Sequence, residues 1–205
     1  ARMVMSPHPI IIIFISCTSF KRDCNKGNMI ACYKVGLKYE NSEKYQESAK
    51  YYKKACNGKY YQACLNLAKI MQEPLKKVFF ENNPGATYSS DHYKYYELAC
   101  NNKIWDACAH LANSPMYGPL GKSKKGDSIA KKGCNGGSEL SCSVYAQSLY
   151  YQGKHDLAKN ILARTCKNNI AGSCLFLSYY HKGEKKRKLI KKACSLGYKF
   201  ACTPF

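Results

Sequence analysis

Six cysteine pairs with a single spacing, C-x7-C, run through the 205-residue chain. They are Cys24 with Cys32, Cys56 with Cys64, Cys100 with Cys108, Cys134 with Cys142, Cys166 with Cys174, and Cys194 with Cys202. They recur at intervals of 32, 44, 34, 32 and 28 residues, which is the period of a repeat array. Two cysteines bridge only when their Cα atoms lie within about 4.4–6.8 Å. Eight positions apart on one helix they stand about 12 Å apart, and on a strand roughly twice as far. A bridge therefore needs a chain reversal between them. The intervening residues supply one: Asn25-Lys26-Gly27-Asn28, Asn57-Gly58-Lys59, Asn101-Asn102-Lys103 and Asn135-Gly136-Gly137 have the composition of a helix C-cap and turn.

The flanks carry helical periodicity. Three residues past the second cysteine stands Val35, Leu67, Leu111, Tyr145 or Leu177, and one further a small residue: Gly36, Ala68, Ala112, Ala146 or Ser178. Just before that cysteine is another small residue: Ala31, Ala63, Ala107, Ser141, Ser173 or Ala201. Recurrence at i, i+3 and i+4 marks one buried helical face, and small residues let neighbouring helices approach closely. Each unit is read as an antiparallel helix pair stapled at its turn. Metal binding is the competing use of so many cysteines, but zinc ligands usually come in pairs two to four residues apart. No C-x2-C occurs, and His8, His92, His110, His155 and His181 do not cluster with the cysteines. The expectation is disulfides, no metal and no cofactor, and hence an oxidising compartment: periplasm, cell surface or exterior. In the chain-entropy model each nine-residue loop contributes about 2.5 kcal/mol.

These strings resemble the Sel1-like repeat, a helix-pair relative of the tetratricopeptide repeat. C-x7-C in every unit resembles, more narrowly, the Helicobacter cysteine-rich protein family. The matching residues are Tyr51-Tyr52-Lys53-Lys54-Ala55-Cys56, Leu189-Ile190-Lys191-Lys192-Ala193-Cys194, and Ala-Cys-x-x-Leu-Ala at 63–68 and 107–112, over roughly residues 24–202. The resemblance implies an all-α, right-handed α/α solenoid whose first helices line an inner face that holds a protein partner. Four full helix pairs are expected at about 43–73, 91–113, 127–153 and 154–182. A helix near 29–41 and a shorter pair near 185–203 cap the ends, giving a repeat region of 18–205. Two connections depart from the pattern, 73–90 with Pro74 and Pro84, and 113–126 with Pro115 and Pro119.

The amino terminus is distinct. Ile10-Ile11-Ile12-Ile13-Phe14-Ile15-Ser16-Cys17 is an apolar run far too short to span a bilayer as a helix, ending in the thirteenth cysteine. Residues 1–17 resemble an export segment, with Cys17 as a lipidated residue or the run as a cleaved signal. Membrane association is expected only through that anchor.

Thirty-three Lys and Arg against thirteen Asp and Glu give a net charge of +20. Such a field attracts acidic partners, and export argues against nucleic acid. Eighteen tyrosines include doublets at 51/52, 60/61, 95/96, 150/151 and 179/180. Adjacent helical residues point about 100° apart, so one ring of a doublet enters the core and the other does not. Tyr51 and Tyr95, with Lys50, Lys54 and Lys94, are the expected partner-binding residues. Catalysis has one candidate. Members of the resembled family carry a β-lactamase or penicillin-binding label, and Ser128-Ile129-Ala130-Lys131 is an S-x-x-K string, but S-D-N and K-T-G are absent. The reading is an exported, non-catalytic scaffold for protein–protein interaction, with a β-lactamase as the alternative.

Overall fold

A computed structural model describes residues 19–72 and 92–202. The apolar run with Cys17, and the 73–90 connection, lie outside the described residues. Within them the regular structure is helical. A helical stretch over 19–25 (α1) is followed by α2 (Met29–Asn41), α3 (Tyr45–Asn57), α4 (Tyr61–Gln72), α5 (His92–Asn101) and α6 (Trp105–Ala112). Then come α7 (Lys124–Asn135), α8 (Glu139–Tyr151), α9 (His155–Lys167), α10 (Ala171–Ser178) and α11 (Gly183–Ser195), with single 3-10 turns at Pro115–Tyr117 and Lys199–Ala201. The chain divides into two compact units, residues 1–98 and 99–205.

All six expected disulfides are present, joining the cysteines as paired in sequence. Cys24 is bonded to Cys32, Cys56 to Cys64, and Cys100 to Cys108. In the second half Cys134 is bonded to Cys142, Cys166 to Cys174, and Cys194 to Cys202. Their Cα–Cα distances are 4.3–4.9 Å. The second cysteine of the pair is buried in the interior at Cys32, Cys64, Cys108, Cys142 and Cys174, and exposed only at Cys202.

Each bridge closes a turn of one kind. The residue three past the first cysteine is left-handed in every repeat: Gly27, Lys59, Lys103, Gly137, Asn169 and Gly197 have φ between 63° and 98°. The next residue's N–H donates to the carbonyl five positions back, as in Asn28 to Asp23, Tyr60 to Ala55 and Ser138 to Gly133, at 3.0–3.1 Å. That bond ends the first helix in a Schellman turn. The second helix then starts on a side-chain cap where one is available: Asn28 Oδ1 accepts from Ala31 N–H at 3.0 Å, and Ser138 Oγ from Ser141 N–H at 3.0 Å.

Packing follows the same register. On α3 and α9 the residues eight, four and one before the cysteine are buried: Ser48, Tyr52 and Ala55, and Ala158, Leu162 and Thr165; on α11 only the last two, Ile190 and Ala193, are. On second helices all the small residues singled out above are buried. Their smallness is used: a Cβ on Gly36 would fall 2.6 Å from the ring of the fully buried Tyr52, and one on Gly133 would fall 2.7 Å from Cys108 Cβ. In the 1–98 unit the buried Tyr52 hydroxyl donates to Glu40 Oε2 at 2.6 Å and accepts from Asn66 Nδ2 at 3.2 Å. Burial, and the hydrogen bond to Glu40, push the Tyr52 phenol far above its usual range. In the 99–205 unit a hydroxyl chain crosses three helices: Thr165 Oγ1 to Ser173 Oγ at 2.6 Å, and Ser173 Oγ to Ser143 Oγ at 2.7 Å. There, α6 packs on α8 and α8 on α10, so the second helices form the closely spaced side of the unit.

Two boundaries differ from the sequence expectation. A helix precedes Cys24, and α7 begins at Lys124 because Ser123 Oγ caps it by accepting from Gly126 N–H at 3.2 Å. No helix among the described residues is long and apolar enough to cross a membrane.

Candidate functional site

Two of the five tyrosine doublets divide as expected, one ring in the core and one outside it; at 60/61, 150/151 and 179/180 neither ring is fully buried. Tyr52 and Tyr96 are fully buried, while their neighbours Tyr51 and Tyr95 are only half-buried. Tyr51 stacks on Tyr39 of α2 with ring centroids 5.6 Å apart, and Lys21 Nζ lies 5.0 Å over the Tyr39 ring. Lys50 and Lys54 on α3, and Lys94 on α5, are exposed. The 1–98 unit thus carries these five residues on the outer parts of two first helices.

A groove of about 570 Å³ lies elsewhere, in the 99–205 unit, on its second helices. Its lining comes from the 113–123 connection (Asn113, Pro119, Leu120, Lys122), from α8 (Gln147, Tyr151), from α10 (Phe176) and from Tyr198. The connection is held in place by one carboxylate. Asp127 Oδ1 accepts from Gly121 N–H at 3.0 Å, and Oδ2 from Gln152 Nε2 at 2.8 Å. Gly121 sits at φ 81°, and a Cβ there would fall 2.5 Å from Tyr151 Cβ, so only glycine lets the wall lie against α8.

The groove opens beside an aromatic cluster. Tyr151 stands edge-on to Phe176 at 6.0 Å, Phe176 meets Tyr179 at 5.4 Å, and Tyr150 lies within 6.1 Å of Tyr151, Phe176, Tyr179 and Tyr180. Burial, then the neighbouring phenols of Tyr151, Tyr198 and Tyr150, raise the Tyr179 hydroxyl above its usual range. Phe176 is buried, but Tyr151 and Tyr179 remain 58% and 49% exposed. Lys122 at the rim has no ion pair among the described residues. Such a site offers large, stiff apolar area with amide donors and acceptors from Gln147 and Asn113, the chemistry of recognition.

Ser128 and Lys131 are both exposed on α7, and neither lines the groove. No observation supports the β-lactamase alternative. No three His, Cys, Asp or Glu side chains converge as a metal site among the described residues. The sequence reading missed Gln147, Phe176 and Tyr198. The available signals were the 150/151 and 179/180 doublets beside an irregular Pro-containing connection.

Stapled helix pairs, packed second helix on second helix in the 99–205 unit, give the chain an all-α, Sel1-like and tetratricopeptide-like solenoid fold. No protein-family model and no curated protein sequence matches it. Solved structures do. Similar to it are c5321, a protective antigen of uropathogenic Escherichia coli with an SLR fold (TM-score 0.71, 14% identity, 91% of this chain and 42% of that one), and a Sel1 repeat protein from Oxalobacter formigenes (TM-score 0.62, 16% identity, 90% and 77%). YrrB, a tetratricopeptide protein with an unusual peptide-binding site, is similar with TM-score 0.52 and 13% identity over 89% and 94%. This chain spans less than half the length of c5321. The likeness establishes the Sel1-like fold that the C-x7-C strings indicated. Six disulfides mark an oxidising, extracytoplasmic environment.

Proposed function

We propose that the protein is an exported, non-catalytic binding scaffold whose second-helix groove in the 99–205 unit receives a protein partner. One observation carries this reading: Tyr151 and Tyr179 leave about half their surface in water beside an open groove. Clustered exposed rings lower the free energy of the system when covered, and contiguous apolar patches mark interaction sites. Repeat arrays present extended surfaces of this kind, and YrrB carries a peptide-binding site on a related fold.

Lys50, Tyr51 and Lys54 on α3, with Lys94 and Tyr95 on α5, form a further contact area in the 1–98 unit. The partner is an envelope or host protein. The chain resides in the periplasm or, lipidated at Cys17, on the outer membrane, or is secreted.

Purification of the tagged chain from its native envelope fraction tests this. A stoichiometric partner is expected with the wild type and with Ser128→Ala, and is lost with Tyr151→Ser, a change at a side chain that is 58% exposed. A partner held equally well by Tyr151→Ser, or no partner protein, overturns the groove assignment. Turnover of a chromogenic cephalosporin abolished by Ser128→Ala would make the chain a hydrolase instead.

A further inference from the structure

Charge in the 99–205 unit is segregated by helix. The first helices α7, α9 and α11 carry four, three and six Lys or Arg, against one acid each. The second helices α6, α8 and α10 carry none. Burial alone does not produce this, because Gln147, Tyr150 and Tyr151 on α8 reach solvent without a cation among them. Few of the charges are compensated. Lys188 Nζ pairs with Glu184 at 2.7 Å and Arg164 with Glu139 at 3.7 Å, while Lys192 Nζ donates to the Cys166 carbonyl at 2.9 Å. Lys159, Lys185, Lys186, Arg187 and Lys191 are exposed and have no ion pair among the described residues. Burial, then the charges of Lys185 and Lys159, hold the His181 imidazole below its usual range.

We propose that this first-helix face docks onto the phosphate headgroups of an anionic phospholipid surface. The arrangement favours a surface over a discrete acidic protein. The cations recur on each successive first helix, and the groove of this unit is lined by the 113–123 connection, second helices and Tyr198. The face therefore has the spread of a complement to repeating charge. Each Lys or Arg near such a surface adds about 1 kcal/mol, roughly fivefold in partitioning. The contact is separate from the groove and independent of any acyl chain.

Vesicle co-sedimentation of the oxidised full chain, carrying Cys17→Ser to preclude acylation, tests the proposal. Phosphatidylglycerol–phosphatidylcholine vesicles at about 100 mM NaCl are expected to bind at least roughly tenfold better than pure phosphatidylcholine. Binding is expected to fall at least roughly tenfold at about 500 mM NaCl, because exposed charges beyond the Debye length are screened. Lys185→Gln/Lys186→Gln/Arg187→Gln lowers it by about tenfold or more with a Tm no lower than the wild type's, since Ile190 and Ala193 anchor α11. Tyr151→Ser binds vesicles as the wild type does, which separates this contact from the groove. Equal binding to neutral vesicles, an unaffected triple variant, or binding to polyglutamate but not to vesicles overturns the proposal.

Discussion

Six turns of one backbone design fill their left-handed position with different residues. The left-handed position is glycine in three repeats and asparagine in one, but lysine at 59 and 103, with φ 69° and 66°. An L-residue with a Cβ pays about 1–2 kcal/mol for that conformation, partly offset by the greater unfolded-state freedom of glycine. Lys59→Gly and Lys103→Gly are therefore expected to raise stability by about 0.5–1 kcal/mol each, read as a shift of the denaturation midpoint. Gly36 is the opposite case. Its missing side chain is filled by the Tyr52 ring, which burial and the Glu40 and Asn66 hydrogen bonds hold in place. Gly36→Ala is expected to destabilise by about 1–3 kcal/mol through overpacking, measured by urea titration. Sequence periodicity marked position 36 as small; that it must be glycine follows only from a tyrosine on the neighbouring helix.

At the scale of the element, each helix pair is too small to bury a core alone, so the staple and the neighbouring pairs share the stabilisation. The bridge from Cys166 to Cys174 sits within the buried core, whereas that from Cys194 to Cys202 closes the end of the described chain, where Cys202 is exposed and the second element is a single 3-10 turn. Replacing Cys166 and Cys174 with alanine is expected to cost about 2.5 kcal/mol or more of global stability. The same change at 194 and 202 is expected to loosen α11 locally and leave the global transition nearly unmoved. Native-state hydrogen exchange distinguishes the two outcomes, because local opening exchanges amides without the cooperative transition.

For the molecule as a whole the dominant quantity is charge. A net +20 repels itself in the folded state, and the first helices of the 99–205 unit concentrate that repulsion. Raising NaCl from about 10 to about 200 mM is expected to stabilise the fold by about 1 kcal/mol, or roughly 2–4 °C in Tm; a Tm that falls with salt would mean that ion pairs outweigh repulsion. The cysteine spacing alone determined the repeat, the turn between paired helices, the disulfides and the compartment class, because those are local: a nine-residue loop closes in only a few ways, and its register carries the buried face with it. Where the groove would form was decided only by tertiary structure. Its lining joins an irregular connection, two second helices and Tyr198, residues up to 85 positions apart as Asn113 and Tyr198 are. No short-range pattern brings such residues together; the packing of α6, α8 and α10 does. The same packing explains why the tyrosine doublets had to be seen in place: sequence said that one ring of each pair leaves the core, and only the neighbouring helices decide how far that ring is covered, half-buried on Tyr39 for Tyr51 and 58% exposed beside Phe176 for Tyr151.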